Sequence, residues 1–275
     1  MTPDERLAQV ASALTQVGLR YLVMGGHAVR HYGISRDTFD FDFHLSRMGG
    51  EELGARLRES GLFGETAPRE LPGWRGADFR RFLLGHLPDG KEEYLEFWFR
   101  NHLLPPFEEL YARREEGEVD GHHLPFLSLP DLIRSKETER ESDWQDVALL
   151  EEMLDARNLS RANDPAGVIA ALAALRSRRG YRLAESRGRL ANLEQVTVAL
   201  VVARNPITRS FLLPFVPSAS VEHVEGVPDL IAAPLRAVLP GSPRHLALVE
   251  AMRRVYRQNA VAADRADKEG FRHTR

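Results

Sequence analysis

A ten-residue run beginning at position 36, RDTFDFDFHL, has the strand alternation that most restricts this chain. Arg36, Thr38, Asp40, Asp42 and His44 fall on one parity, and Phe39, Phe41, Phe43 and Leu45 on the other. Side chains on a strand point to opposite faces with period two, so the aromatics are predicted to share a buried face and the two carboxylates the other. Two acids side by side repel each other unless something cationic lies between them. Upstream, the apolar run Tyr21 to Met24 leads into Gly25-Gly26. A short helix then begins at Gly26, takes in His27 to Tyr32 and stops at Gly33. The order of strand, glycine turn, helix and acidic strand is what any fold for this chain must accommodate.

Other elements follow from periodicity. Asp4 to Val17 reads as an amphipathic helix with Gly18 past its end, and Glu51 to Ser60 as a second helix ended by Gly61. Residues 64 to 76, rich in glycine and proline, predict loop or irregular edge structure. Phe79 to Leu84 and Lys91 to Phe99 predict two strands joined across a turn carrying Asp89-Gly90. On the second, Tyr94, Glu96 and Trp98 share one face, so a single acid sits centrally among aromatics. Leu124 to Leu127 adds a short edge strand. Ser128-Leu-Pro-Asp131 carries a helix-start signature, and the stripe Leu132, Lys136, Arg140, Asp143, Val147, Leu150, Leu154 predicts one helix to about Arg157. Its first half places charged groups where burial is expected, which predicts a polar cleft beside it. Beyond a linker at 158 to 163, Asp164-Pro165 caps a helix through Arg179. Val196 to Ala203 suits a buried strand or helix, 211 to 221 is ambiguous, and Ser242-Pro243 starts a last helix to about Gln258.

With 275 residues the chain can bury a substantial core. It has no cysteine, which excludes disulfides and thiolate metal sites and suits a reducing cytoplasm. The first residues, MTPDERLAQV, carry acids where a signal peptide would be basic, and no apolar run approaches the roughly 20 residues of a membrane span. A cytoplasmic protein without membrane contact is the expectation. The net charge of -3 hides an uneven distribution: from Arg157 to Arg209 there are ten arginines against three acids. Such a stretch fits a phosphate backbone, and equally a solvated basic face.

Gly25-Gly26, thirteen residues, then Asp40-Phe-Asp42 preceded by Arg36-x-Thr38, resembles the signature of the nucleotidyltransferase-fold superfamily, whose distant members include DNA polymerase β. The stretch SLPDLIRSKETERESDWQDVALLEEML is similar to the helix after the core in a group of bacterial nucleotidyltransferase-like proteins and, more loosely, to nucleotidyltransferase toxins of abortive-infection systems. The likeness covers residues 5 to 157. It implies an α+β fold, a small mixed sheet flanked by helices, over residues 1 to 157, and leaves 164 to 275 as a mostly helical region of unknown role. The implied activity is Mg²⁺- or Mn²⁺-dependent transfer of a nucleoside monophosphate from an NTP to an acceptor hydroxyl. The acceptor is an RNA or tRNA end favoured by the arginines, a protein or a small molecule. A catalytically silent nucleotide-binding or antitoxin-like module of the same fold, or a partner in a protein complex, stays open.

The chemistry is consistent with that likeness. Nucleotidyl transfer needs hard cations with oxygen ligands, and aspartates at i and i+2 on a strand can supply them from one face. Asp40, Asp42 and Glu96 are therefore the candidate metal ligands, with Glu96 also activating the acceptor. Gly25 and Gly26 would let backbone amides approach phosphate. Arg36, Thr38, Lys136 and Arg140 are the further nucleotide-binding candidates, Asp143 orienting Arg140. Each has a plainer counterpart: a one-sided sheet facing water, an edge-strand charge at Glu96, an ion-pair ladder at Lys136, Arg140 and Asp143. His27, His31 and His44 touch substrate, or cap and face solvent. His122-His123 reads as loop. Trp74 and Trp98 stack a base or pack in the core.

Overall fold

The computed structural model describes residues 2–71, 78–101, 103–138, 140–204, 208, 209, 212, 215 and 216. Trp74, the boundaries of 64–76 beyond Leu71, and the expected helix after Ser242 lie outside them. The described chain forms two compact units, one ending at Glu137 and the other beginning at Thr138.

The first unit is α+β around a seven-stranded mixed sheet. Helix α1 (Pro3–Gln16) starts at Thr2, whose side chain accepts the Glu5 N–H while Glu5 returns a bond to the Thr2 N–H. Such reciprocal capping is worth about 1 kcal/mol. Its apolar stripe, Leu7, Val10, Ala11 and Leu14, is fully buried. Strand β1 (Tyr21–Val23) is buried throughout and runs straight into α2 (Gly25–His31). Strand β2 (Asp40–Leu45) follows, then α3 (Gly50–Glu59), β3 (Glu70–Leu71), β4 (Phe79–His86) and β5 (Glu92–Trp98). Helix α4 (Phe107–Ala112), the hairpin β6 (Glu115–Val119) and β7 (His122–Phe126), and α5 (Leu129–Ser135) complete the unit. The sheet order is β3-β4-β5-β2-β1-β7-β6. β2 pairs parallel with β5 and antiparallel with β1, which places the acidic strand near the centre.

The alternation of β2 holds: Phe41 and Phe43 are 2% and 0% exposed, while Asp40 and Asp42 are half-buried on the other face. Phe39 departs from it. Lying just before the strand, it is exposed and takes the Lys91 ammonium over its ring. Residues 115 to 123 also depart from expectation. His122 and His123 lie on β7 rather than in a loop, paired with Val119 and Glu118. Three glutamates and a glycine make β6 a poor strand by composition. The Asp120-Gly121 turn, with φ of 48 and 75, is the hairpin signal that was present.

The second unit contains α6 (Glu141–Arg161), α7 (Pro165–Ala173), α8 (Arg178–Ser186) and α9 (Leu193–Val202). Its own core gathers Leu159, Val168, Leu172, Leu175, Val196 and Leu200. Both long helices expected here are interrupted. The one predicted from Ser128 to Arg157 stops at Lys136 and restarts after Arg140. Thr138 supplies the alternative partners: its hydroxyl accepts the Arg140 N–H and donates to Asp143, and its carbonyl accepts the Trp144 indole N–H at 2.6 Å. Side chains that bond nearby backbone compete with the helix ladder. The helix predicted from Asp164 to Arg179 likewise ends at Ala173, and α8 restarts at the Ser177 cap. For 196 to 203, left open between strand and helix, the outcome is helix, started by Asn192 accepting the Gln195 N–H.

Candidate active site

Sheet register builds the site. On the parallel pair β2/β5, Asp40 stands opposite Tyr94 and Asp42 opposite Glu96. On the antiparallel pair β4/β5, Arg81 stands opposite Glu96. Arg81, Glu96 and Asp42 thus form one row across three adjacent strands, on the face away from Phe41 and Phe43. Glu96 is only 6% exposed, and Arg81 Nε donates to its Oε1 at 2.7 Å with Nη2 also in contact.

Gly25 closes one side of this row. Its φ is 62, and a Cβ there would come within 1.9 Å of Asp42 Oδ2, so only glycine fits beside that carboxylate. A Cβ on Gly26 would come within 2.3 Å of Thr38 Oγ1 and 3.6 Å of Arg36 Nε. The Met24 N–H donates to the Asp42 carbonyl, locking the glycine turn to the acidic strand. The structure therefore brings Gly25, Gly26, Arg36, Thr38, Asp42 and Glu96 together. Lys136, 8% exposed, closes α5, which packs against α2. Arg140 belongs to the second unit, where it precedes α6 with an exposed side chain 3.8 Å from Asp143. The Lys136–Arg140–Asp143 stripe is therefore not one helical face.

Burial raises the Glu96 pKa to about 9, reinforced by the Asp42 charge and a hydrogen bond with Asp42, while Arg81 pulls the other way and Asp40 adds a smaller upward push. Like charges in a place poor in water cannot both ionise cheaply, so a cation beside the pair, whether a guanidinium or a metal ion, favours the ionised form of Glu96. The donor set, all carboxylate oxygen, fits a hard divalent cation. Two of the three candidate ligands converge in register, and Asp40 lies two residues before Asp42 on the same strand. Among the described residues no three acids or histidines stand close enough to form a finished cation cage.

The histidines have other surroundings than capping or solvent. His27 is buried, stacks on Phe41 at 4.9 Å and has its pKa lowered to about 4, first by burial and then by Arg30. His44 is buried with its ring edge toward Phe107, and burial lowers its pKa too. His31 stacks on Phe126 at 3.9 Å and fills the space left by Gly117. Trp98 packs 4.7 Å from Phe79. Arg81 is the residue that the linear reading misses, and a β-bulge explains why. Near the turn the pairs are His86 with Glu92 and Gly85 with Glu93, but beyond the shift at Leu83/Gly85 they are Leu83 with Tyr94 and Arg81 with Glu96. An unbulged hairpin would set Phe82, not Arg81, opposite Glu96.

No protein-family model matches the sequence, and no curated protein matches it. Among solved structures the chain is similar to an antigenic nucleotidyltransferase-like protein from Paracoccidioides brasiliensis, at 16% identity and a TM-score of 0.36, over 68% of this chain and 89% of that one. It is also similar to JHP933 from Helicobacter pylori, at 13% identity and a TM-score of 0.39, over 94% of this chain and 91% of that one. Likenesses this remote say nothing of chemistry, which has to come from the row of side chains itself.

Proposed function

We propose that the protein transfers a nucleoside monophosphate from an NTP to an acceptor hydroxyl and releases pyrophosphate. The observation that carries this reading is the placing of Asp42 beside Glu96 on parallel strands with the Gly25 backbone pressed against Asp42. In the reaction the acceptor oxygen bonds to the α-phosphorus, the bond to the β-phosphate oxygen breaks, and the hydroxyl proton leaves. Glu96, beside Asp42 in the row, would take that proton once a bound cation keeps it ionised. Asp40 and Asp42 would hold Mg²⁺ or Mn²⁺, and such an ion supplies charge neutralisation at the triphosphate and at the attacking oxygen. Gly25, Gly26, Arg36, Thr38 and Lys136 would hold the triphosphate. The protein's part is positioning and charge stabilisation rather than covalent chemistry.

RNA is the acceptor we favour. Arg176 is engaged by Glu151 and Arg189 by the Ala162 carbonyl, but Arg161, Arg178, Arg182 and Arg187 are exposed. A second reading, a silent nucleotide-binding module, draws support from Arg81, which already neutralises the carboxylate a catalytic cation would need. Incubation with labelled NTPs, Mg²⁺ and total RNA separates the two. Transfer lost in the Asp40→Ala, Asp42→Ala double variant is expected. Label that persists in that variant removes the metal assignment, and tight NTP binding by wild type without transfer favours the silent module.

A further inference from the structure

The row Arg81–Glu96–Asp42 contains a cation supplied by the chain itself. Arg81 contacts Glu96 through two guanidinium nitrogens, and its guanidinium lies over the Tyr94 ring at 4.9 Å and near the Phe79 ring at 5.8 Å. Both rings are two residues from the row along their own strands and so share its face. The guanidinium is therefore held by one carboxylate oxygen that meets two of its nitrogens and by aromatic surface together, unlike a surface ion pair formed by two long mobile side chains. Glu96 has 8% of its side chain exposed and Arg81 36%. The acid is thus confined while the base retains an exit to solvent. The bulge at Leu83/Gly85 is what turns Arg81 onto this face.

We propose that Arg81 is a resident counter-cation that competes with the divalent ion for Glu96, so that ion binding requires Arg81 to release it. Arg81 is then a positioning residue: it sets which partner Glu96 has, and hence how readily the site loads. The inference rests on the reading of Asp42 and Glu96 as cation ligands. It makes the three-ligand arrangement a state the protein reaches on releasing Arg81. Without a metal, Arg81 offsets the charge of Glu96 alone.

The test is Mn²⁺ affinity without nucleotide, measured by electron paramagnetic resonance of free Mn²⁺ on the full chain. Arg81→Gln is expected to bind Mn²⁺ about five- to tenfold more tightly than wild type, a discounted value for removing a competing charge that is partly solvent-screened. Arg81→Lys, which keeps the charge but loses the fork, falls between them and serves if the glutamine variant folds poorly. In a Glu96→Gln background the Arg81→Gln effect disappears, because the competition runs through Glu96. Unchanged or weaker Mn²⁺ binding in Arg81→Gln, or equal tightening with and without Glu96, overturns the inference. Asp42→Asn tells the two levels apart. If it abolishes Mn²⁺ binding while Arg81→Gln changes nothing, only the competition is wrong; if Mn²⁺ still binds, the ligand assignment has failed as well.

Discussion

Each unit sets a carboxylate against a glycine, and the two are treated in opposite ways. In the second unit Asp155 is 1% exposed and accepts the N–H groups of Arg176 and Ser177 and the Ser177 hydroxyl, with Gly180 leaving room for it. In the first, Asp42 is cradled by Gly25 and faces Glu96, a second acid. Burial pushes both Asp155 and Glu96 upward, but the donors around Asp155 hold it to about 6, whereas Asp42 drives Glu96 to about 9. An acid surrounded by donors fixes backbone locally: here it holds the break between α7 and α8. An acid set against another acid is poised for a ligand that the chain does not supply, apart from Arg81.

Removing each acid should separate them most. Asp155→Ala leaves two buried N–H groups without an acceptor and is expected to cost roughly 2–4 kcal/mol in urea unfolding. Glu96→Gln removes the repulsion from Asp42 and should leave urea stability unchanged or raised, while lowering NTP-dependent transfer about a hundredfold. Equal losses of stability would erase the distinction. The glycines come next. Gly25→Ala meets both a positive φ and the Asp42 carboxylate, and Gly180→Ala meets a carboxylate tied by three bonds. Each should cost roughly 1–3 kcal/mol, and only the first should also reduce transfer.

The pH response has a defined sign. Both groups have raised folded-state pKa values, so each contributes stability that is fully present below its ordinary value and is lost as pH rises. For Asp155 the fall runs from 3.8 through about 6; for Glu96 it runs from 4.5 through about 9 in the metal-free protein. Unfolding curves across pH should lose the first segment in Asp155→Asn and the second in Glu96→Gln. The smallest separation concerns the exposed arginines. If they meet RNA, binding measured by filter retention should fall steeply with salt, and Arg178→Ala, Arg182→Ala should flatten that slope. A flat wild-type response would remove RNA from the reading.

Much of the first unit was legible because its signals are local. Period two on 36 to 45 assigned the faces of β2, and the glycine pair located the turn that Gly25 makes against Asp42. Glu96 was found as the central acid of the next regular strand, on parity alone. What escaped was decided by bonds that periodicity does not show. The 115 to 126 hairpin is held by pairing rather than propensity, and the helix breaks at Thr138 and Ser177 are decided by the carboxylates of Asp143 and Asp155.

The sequence by itself determined the mix of helices and strands, the apolar and acidic faces of the central strand, and the identity of the acids. Those properties follow from the spacing of side chains along one segment. Which acid meets which was decided only by tertiary structure, because register between strands depends on the whole sheet. The parallel pairing of β2 with β5 set Glu96 beside Asp42, and one extra residue in β4 turned Arg81 toward them both. A shift of one position reverses every face of a strand, so a single bulge changed the row from acids beside a phenylalanine to acids beside a cation.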